Sequence, residues 1–382
     1  MTETEKNQTA AAKDLNWIKQ SLQSAIELEF ATLPLYLSSM FSLEVQNYTA
    51  YNSIRSVVME EMVHMAIAAN ILSALGGTPS IQRIQVAYPT KGLPGGAEPD
   101  LEIGLASYSK NQLKDFMRIE APEFLLDELD LPEQYPTISV FYNGIKTAIE
   151  ENAESVAAAV KKGGTSNQVG DNIGFPTFVY DPKVDVVRML CAGIDEIMEQ
   201  GEGASTENLI TSSKYETEES HYAKFASLYY GAQYQKPAKI GKLTRKNEAR
   251  FFKGLPITPP EVVNTLAVPA DGYEKLLAQD PNGAAAGAAL AAFDNAFSTM
   301  LSTLETVWNG PAAASWKNLG AAVHEMVDFR VLSCFNIMRT QIPDDVIKQL
   351  PALYPEEIER LKQYTDFSKP VFYGPRFINN NR

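Results

Sequence analysis

Cysteine is rare in this chain of 382 residues. The two cysteines, Cys191 and Cys334, are too few for the disulfide framework of a small secreted protein, and they fit a reducing compartment. Residues 1–13 are polar and lack the apolar core of a signal peptide. We therefore expect a protein of the cytoplasm.

Positive charge is also in short supply. The formal net charge is 33 − 47 = −14, and an acidic surface repels nucleic acids and anionic membranes. The uncharged stretches between Glu29 and Glu44 and between Asp280 and Asp294 are shorter than the roughly 20 apolar residues of a membrane span. These absences exclude nucleic acid and membrane as main partners. The sequence also lacks a glycine-rich nucleotide fingerprint, so any reducing equivalents must come from an external donor or from the substrate.

What the sequence does have is helical periodicity. Apolar residues recur every three or four positions along four segments, which predicts four long helices. These segments are 14–46, 50–75, 182–200 and 212–231. Pro34 lies inside the first segment and should kink that helix, because proline removes one backbone hydrogen bond. Four such helices predict a bundle.

The rest of the chain predicts shorter helices. Segment 78–184 carries many prolines and helical patterns at 110–119 and 138–162; later patterns lie at 271–278, 284–308, 312–340, 343–349 and 355–364. We therefore predict an all-α protein. A four-helix domain would occupy 14–235, with a long crossover insertion at about 78–184, and a C-terminal helical extension would occupy 236–382. We expect both additions to cover the site described next.

Two of the three histidines repeat one local pattern, Glu-x-x-His. The pairs are Glu61 with His64 and Glu218 with His221. Residues three apart on a helix share a face, so a carboxylate and an imidazole can reach one ion together. Each pair also falls on the apolar seam of its predicted helix. Burying these polar groups is costly unless a partner such as a divalent metal compensates them.

Two further glutamates complete the predicted set. Glu29 lies on the apolar seam of the first helix, and the third helix should supply one more carboxylate. The helical phase favours Glu202, which lies between two glycines, and Glu199 is the alternative. Helical bundles with di-iron or di-manganese centres have this pattern: two helices supply one glutamate each, and the other two supply Glu-x-x-His. We predict two iron ions, with manganese or a mixed pair as alternatives.

Four segments of the chain together resemble the ferritin-like domain of the iminophenyl-pyruvate dimer synthase family of violacein and related indole-alkaloid pathways. They are AIELEFATLPLYL (25–37), EEMVHM (60–65), EQGEG (199–203) and EESHYAKF (218–225). The resemblance covers about residues 14–235. It implies a ferritin-like fold with Glu29, Glu61, His64, Glu218 and His221 at metal-ligand positions. It also matches the EQGEG segment to the remaining ligand, which favours Glu202.

The predicted function is that of a di-metal oxidoreductase. Its metals would reduce dioxygen, as co-substrate, or a peroxide and oxidise a small, amino-acid-like molecule of specialised metabolism. One alternative is oxidative coupling of amino-acid imines, as the resemblance implies. Another is a metal-binding or stress protein without an organic substrate, which should lack an enclosed apolar cavity. The sequence leaves the oligomeric state open.

Overall fold

The computed structural model describes residues 13–44, 48–122, 125, 137–163, 167–170, 175–202, 209, 219–236 and 243–381. Among these residues the protein is mostly helical, with two small antiparallel β-pairs. The all-α prediction is confirmed. One of the predicted ligands, Glu218, lies outside the described residues.

The first part of the chain forms the helices that surround the site. They are α1 (Leu15–Phe41), α2 (Tyr48–Ala74), α3 (Lys110–Ile119), α4 (Ile138–Glu151), α5 (Ala153–Gly163), α6 (Val186–Glu202) and α7 (His221–Tyr230). Strands β1 (Thr90–Lys91) and β2 (Glu102–Ile103) pair between α2 and α3.

Local signals define the ends of the first two helices. The Asp14 carboxylate accepts hydrogen bonds from the backbone N–H groups of Asn16 and Trp17, which caps α1. Helix α1 continues through Pro34 and ends at Phe41, five residues earlier than the predicted 46. After α2, Gly76 has a φ of +73°, a conformation that glycine adopts without strain.

Helix α2 lies at the centre of the helical core and is strongly apolar. It is the one described helix that is long and apolar enough to cross a membrane, and 78% of its most apolar window is buried inside the protein. Contacts of Glu29 with His64 and of Thr32 with Glu61 show that α1 and α2 run antiparallel. Helices α6 and α7 also pack against α2 and complete the four-helix core.

Three further predicted boundaries were wrong. Helix α6 begins at Val186, four residues after the predicted 182. The segment 138–162 is broken at Asn152, whose side-chain amide donates to the Ala148 carbonyl at the end of α4. The helix predicted from about 212 begins at His221, because Ser220 is an extended N-cap whose hydroxyl accepts from the Ala223 N–H. Residues 211–218 lie outside the described part of the chain.

The C-terminal part is helical and packs on the same hydrophobic core. Strands β3 (Ala232–Tyr234) and β4 (Phe252–Pro256) pair after α7. The helices that follow are α8 (Glu274–Leu277), α9 (Gly283–Asn309), α10 (Ser315–Phe335), α11 (Asp344–Ile347), α12 (Leu350–Leu353) and α13 (Ile358–Tyr364). Helices α9 and α10 pack on each other, and α9 also reaches α2, where Trp308 donates to the buried Asn70.

Candidate metal centre

Four of the predicted metal ligands are buried side by side among α1, α2 and α7. They are Glu29, Glu61, His64 and His221. The two imidazole rings lie nearly parallel, 5.3 Å apart between centroids. Ligand atoms of Glu61, His64 and His221 all lie within 4.8 Å of one another. Ligands from the first, second and fourth predicted helices therefore meet at one point in the core.

The first half of this cluster joins α1 to α2. His64 Nδ1 lies 3.6 Å from Glu29 Oε2 and 3.9 Å from Glu61 Oε2. Glu61 and His64 are one helical turn apart, as the Glu-x-x-His spacing predicts. The Tyr142 hydroxyl of α4 donates to Glu29, and the Thr32 hydroxyl lies 3.3 Å from Glu61 Oε2. These donors fix the direction of both carboxylates.

The second half is organised around His221, at the first turn of α7. Its Nδ1 lies 2.8 Å from Glu61 Oε1 and 3.4 Å from Glu120 Oε2. Neither contact has the geometry of a hydrogen bond, so this buried nitrogen has no hydrogen-bond partner among the described residues. An imidazole nitrogen aimed at two carboxylates without a hydrogen bond is well placed for a cation between them.

Glu120 is a site residue that the sequence reasoning missed. It follows α3 directly and is buried, and the Tyr36 hydroxyl donates to its Oε1. A signal was present, because Leu113, Phe116 and Glu120 share one helical face. It was overlooked because Glu120 belongs to the crossover rather than to one of the four long helices.

The Nε2 atom of each of the two site histidines lies beside a hydrogen-bond acceptor. His64 Nε2 lies 2.7 Å from Gln200 Oε1, and His221 Nε2 lies 2.8 Å from Glu60 Oε2. Lys224 in turn donates to Glu60 at 2.6 Å. Acceptors at Nε2 assign a proton to that nitrogen, so Nδ1 is the nitrogen that each histidine would offer to a metal ion beside the carboxylates.

The third-helix carboxylate remains a prediction. Glu202 is the last residue of α6, and its side chain lies outside what the structure describes. Glu199 is half-buried one residue before Gln200. The end of α6 does reach the cluster, since a Cβ at Gly201 would lie 3.4 Å from Glu120 Oε2. The ligand role of Glu218 also remains a prediction.

The neighbouring buried carboxylates shift the pKa values of the groups at the site. Burial, together with the nearby Glu120 and Glu29 carboxylates, raises the pKa of Glu61 well above its usual value. Burial acts to raise the pKa of Glu29 too, but His64 holds it below the usual value. Burial disfavours protonated His221, yet the Glu61 and Glu120 carboxylates raise the pKa of His221 well above its usual value.

The donor set fits a metal pair. Three buried carboxylates surround two imidazoles, and Lys224 is already paired with Glu60. Such a surplus of buried negative charge is costly unless a cation compensates it. Carboxylate oxygen with imidazole nitrogen suits iron, manganese and zinc. Glu29 with His64 and Glu120 with His221 would hold one ion each, and Glu61 faces both.

The space at the cluster is small. A cavity of about 30 Å³ lies against the carboxylates, which is room for a water-sized molecule. Leu28, Ile119, Ile138, Ile197 and Met198 form its apolar lining. The described lining residues come from α1, α2, the crossover and α6. The expected cover from the C-terminal extension is absent among them, whereas the crossover supplies Glu120 and Tyr142.

These features define a class of protein: a helical bundle with a buried cluster of carboxylates and imidazoles suited to a metal pair. Comparison with known families makes the assignment more specific. The family described as ferritin-like matches residues 22–230. That match covers more than half of the chain, so the protein belongs to the ferritin-like family.

A solved structure gives the same answer for the fold. A ferritin-like protein from Caulobacter vibrioides, with a crystal structure at 1.95 Å resolution, superposes with a TM-score of 0.55 at 18% sequence identity. The alignment covers 84% of this chain and 95% of that one, so the likeness includes much of the C-terminal part. No curated protein matches. The comparisons support the ferritin-like assignment and leave the narrower resemblance to the dimer synthases as a prediction.

Proposed function

We propose that this protein is a di-metal carboxylate oxidoreductase of the cytoplasm, with two iron ions in the cluster of Glu29, Glu61, His64, Glu120 and His221. Manganese or a mixed pair is the alternative metal content. The single observation that carries the proposal is the buried His221 Nδ1, which faces the Glu61 and Glu120 carboxylates without a hydrogen bond.

A bound metal pair would supply the reduction of dioxygen or of a peroxide. The residues of the chain have other tasks. Glu60 and Gln200 hold the Nε2 protons of the two histidines, and this keeps both Nδ1 atoms directed inward. The hydroxyls of Tyr36 and Tyr142 donate to Glu120 and Glu29 and orient those carboxylates. The apolar wall limits the entry of water.

The organic substrate is the second part of the proposal. We infer a small, amino-acid-like molecule of specialised metabolism, with oxidative coupling of amino-acid imines as one version of that chemistry. A second candidate is a metal-binding or stress protein without an organic substrate. The small cavity at the cluster favours this second candidate, because about 30 Å³ accommodates dioxygen or peroxide and no amino acid.

Oxygen uptake separates these functions. The metal-free protein is loaded with two equivalents of Fe(II) without air, and oxygen consumption is then followed with and without a panel of amino acids and imino acids. A His64→Ala/His221→Ala double variant is the control. Repeated turnover that depends on one compound, with its product identified by mass spectrometry, is expected for the oxidoreductase, and a coupled dimeric product would identify the imine chemistry.

Two other results would change the conclusion. A single burst of oxygen uptake, in proportion to the iron and independent of every compound, would establish the metal-binding candidate instead. Equal oxygen uptake by the wild type and the double variant would overturn the proposed centre altogether.

A further inference from the structure

Helix α10 has an apolar side that none of the described residues covers. Its buried residues form a narrow stripe against the core, and these are Ser315, Ala322, Phe329 and Ser333. Away from that stripe, Trp316, Val323, Val327, Val331 and Phe335 are each 46–66% exposed. Most of these five fall on one face of the helix, because their spacing is close to the helical repeat.

The exposed surface continues onto α2. Trp316 and Val323 border an open groove of about 520 Å³ together with Met59, which is 45% exposed. Phe335 borders a second groove of about 250 Å³ together with Tyr48, which is 70% exposed. The five residues of α10 with Met59 and Tyr48 therefore make one apolar face, which we call the α10 face.

The size of the α10 face matches that of a protein interface. Its seven exposed side chains present on the order of 700 Å² of apolar surface, close to the roughly 800 Å² that each partner contributes to a standard interface. Contiguous apolar patches of this size are uncommon on monomeric proteins.

The shape of the α10 face suits a second copy of the same chain. Protruding aromatic side chains, Trp316, Tyr48 and Phe335, lie beside two grooves on the same surface. A two-fold interface brings a patch against itself, so knobs and grooves on one face can fill each other. Gly320 is exposed between Trp316 and Val323 with open space around it, which permits a close approach of two helices.

The charges around the face argue against a membrane. Charges of both signs border the α10 face: Arg55 and Glu60 line one groove, and Arg339 is paired with Glu44 at the other. The exposed part of α10 adds Lys317, His324, Asp328 and Arg330, and the whole chain is acidic. Surfaces that dock on lipid have an excess of lysine and arginine on their polar side. We propose that the α10 face is the interface of a homodimer. The proposal is independent of the metal centre.

Sedimentation velocity of the full chain at micromolar concentration tests the proposal. The wild type should sediment with twice the chain mass of 42.1 kDa. Val323→Glu should sediment as a monomer with an unchanged circular-dichroism spectrum, because each copy would bury a charge at the centre of the interface. Val184→Glu is the matched control, since Val184 is equally exposed (47%) but lies outside the α10 face, and it should remain dimeric.

A second variant distinguishes loss of the dimer from misfolding of the chain. Val327→Ala removes two methyl groups without adding charge and should weaken the dimer at least tenfold in its dissociation constant. A monomeric wild type, or a Val323→Glu protein that stays dimeric, would overturn the proposal. A monomeric wild type that co-sediments with phosphatidylcholine vesicles would overturn it in favour of lipid.

Discussion

Glu61 and His221 lie on different helices, and 2.8 Å separates Glu61 Oε1 from His221 Nδ1 without a hydrogen bond between them. Glu120 Oε2 lies 3.4 Å from the same nitrogen. Two carboxylates that converge on one imidazole nitrogen are costly as a purely structural arrangement and favourable around a metal ion. The predictions about the site follow from this relationship.

Glu61→Gln should separate metal binding from folding. Glutamine removes one of the crowded carboxylates at nearly constant volume, so the metal-free variant should be as stable as the metal-free wild type or more stable. Saturating Fe(II) should raise the wild-type Tm by about 3–5 °C and the variant Tm by much less. Calorimetry without air measures both. A metal-free variant that is clearly less stable would indicate that Glu61 serves structural ion pairs instead.

Glu120→Gln should weaken metal binding at least ~10-fold, because we assign this crossover residue as a ligand beside His221. Titration of the metal-free protein with Mn(II), followed by electron paramagnetic resonance, measures the affinity. Glu154→Gln is the matched control, because Glu154 is exposed on α5. Equal affinity of Glu120→Gln and the control would exclude Glu120 from the metal site.

Asn70 connects the core helix α2 to the crossover and to α9. Its amide nitrogen donates to the Val169 carbonyl at 2.7 Å, and its oxygen accepts from the Val169 N–H and from Trp308 Nε1. Asn70→Leu leaves these buried groups without partners, so it should lower the free energy of unfolding by about 3 kcal/mol in urea denaturation. Asn52→Leu, at an exposed position of the same helix, should change it by less than about 0.5 kcal/mol. If Asn70→Leu lowers the free energy of unfolding by less than about 1 kcal/mol, these hydrogen bonds do not stabilise the fold as we propose.

Asp115 should make stability fall as the pH rises. Burial raises the pKa of Asp115 to about 6, although the Tyr364 hydroxyl donates to it at 2.5 Å. The folded protein therefore binds a proton that the unfolded chain loses near pH 4, so this contribution to stability is full at low pH and is lost between about pH 4 and 6. Asp115→Asn should remove that loss.

The measurement is urea denaturation of both proteins at several pH values. The free energy of unfolding of Asp115→Asn, relative to the wild type, should increase by about 1–2 kcal/mol between pH 4 and pH 7. A constant difference across this range would show that Asp115 ionises in the folded protein as it does in the unfolded chain.

Apolar periodicity located the long helices well, because a seam of four or more turns gives a repeated signal. Glu29, Glu61 and His64 stood out as polar residues on such seams, and the structure places them together. Glu120 gave a weaker signal because α3 has only ten residues. Its place beside His221 depends on packing between α3 and α7, where the ring centroids of Phe116 and Phe225 lie 5.1 Å apart.

The start of α7 shows a different limit of prediction from sequence. Glu218-Glu219-Ser220-His221 is compatible with a helix interior, but serine is also a strong N-cap. The Ser220 hydroxyl caps the helix at His221, and a sequence pattern alone could not decide between the two states. The exposed α10 face poses a similar problem, because an apolar pattern does not distinguish a core from an interface.

Metal content tests the central claim most directly. The wild-type protein and the His64→Ala/His221→Ala double variant are produced with iron and manganese in the medium and compared by plasma mass spectrometry. We expect about two ions of iron or manganese per chain in the wild type and almost none in the variant. A metal-free wild type, or equal metal in both proteins, would contradict the proposed centre.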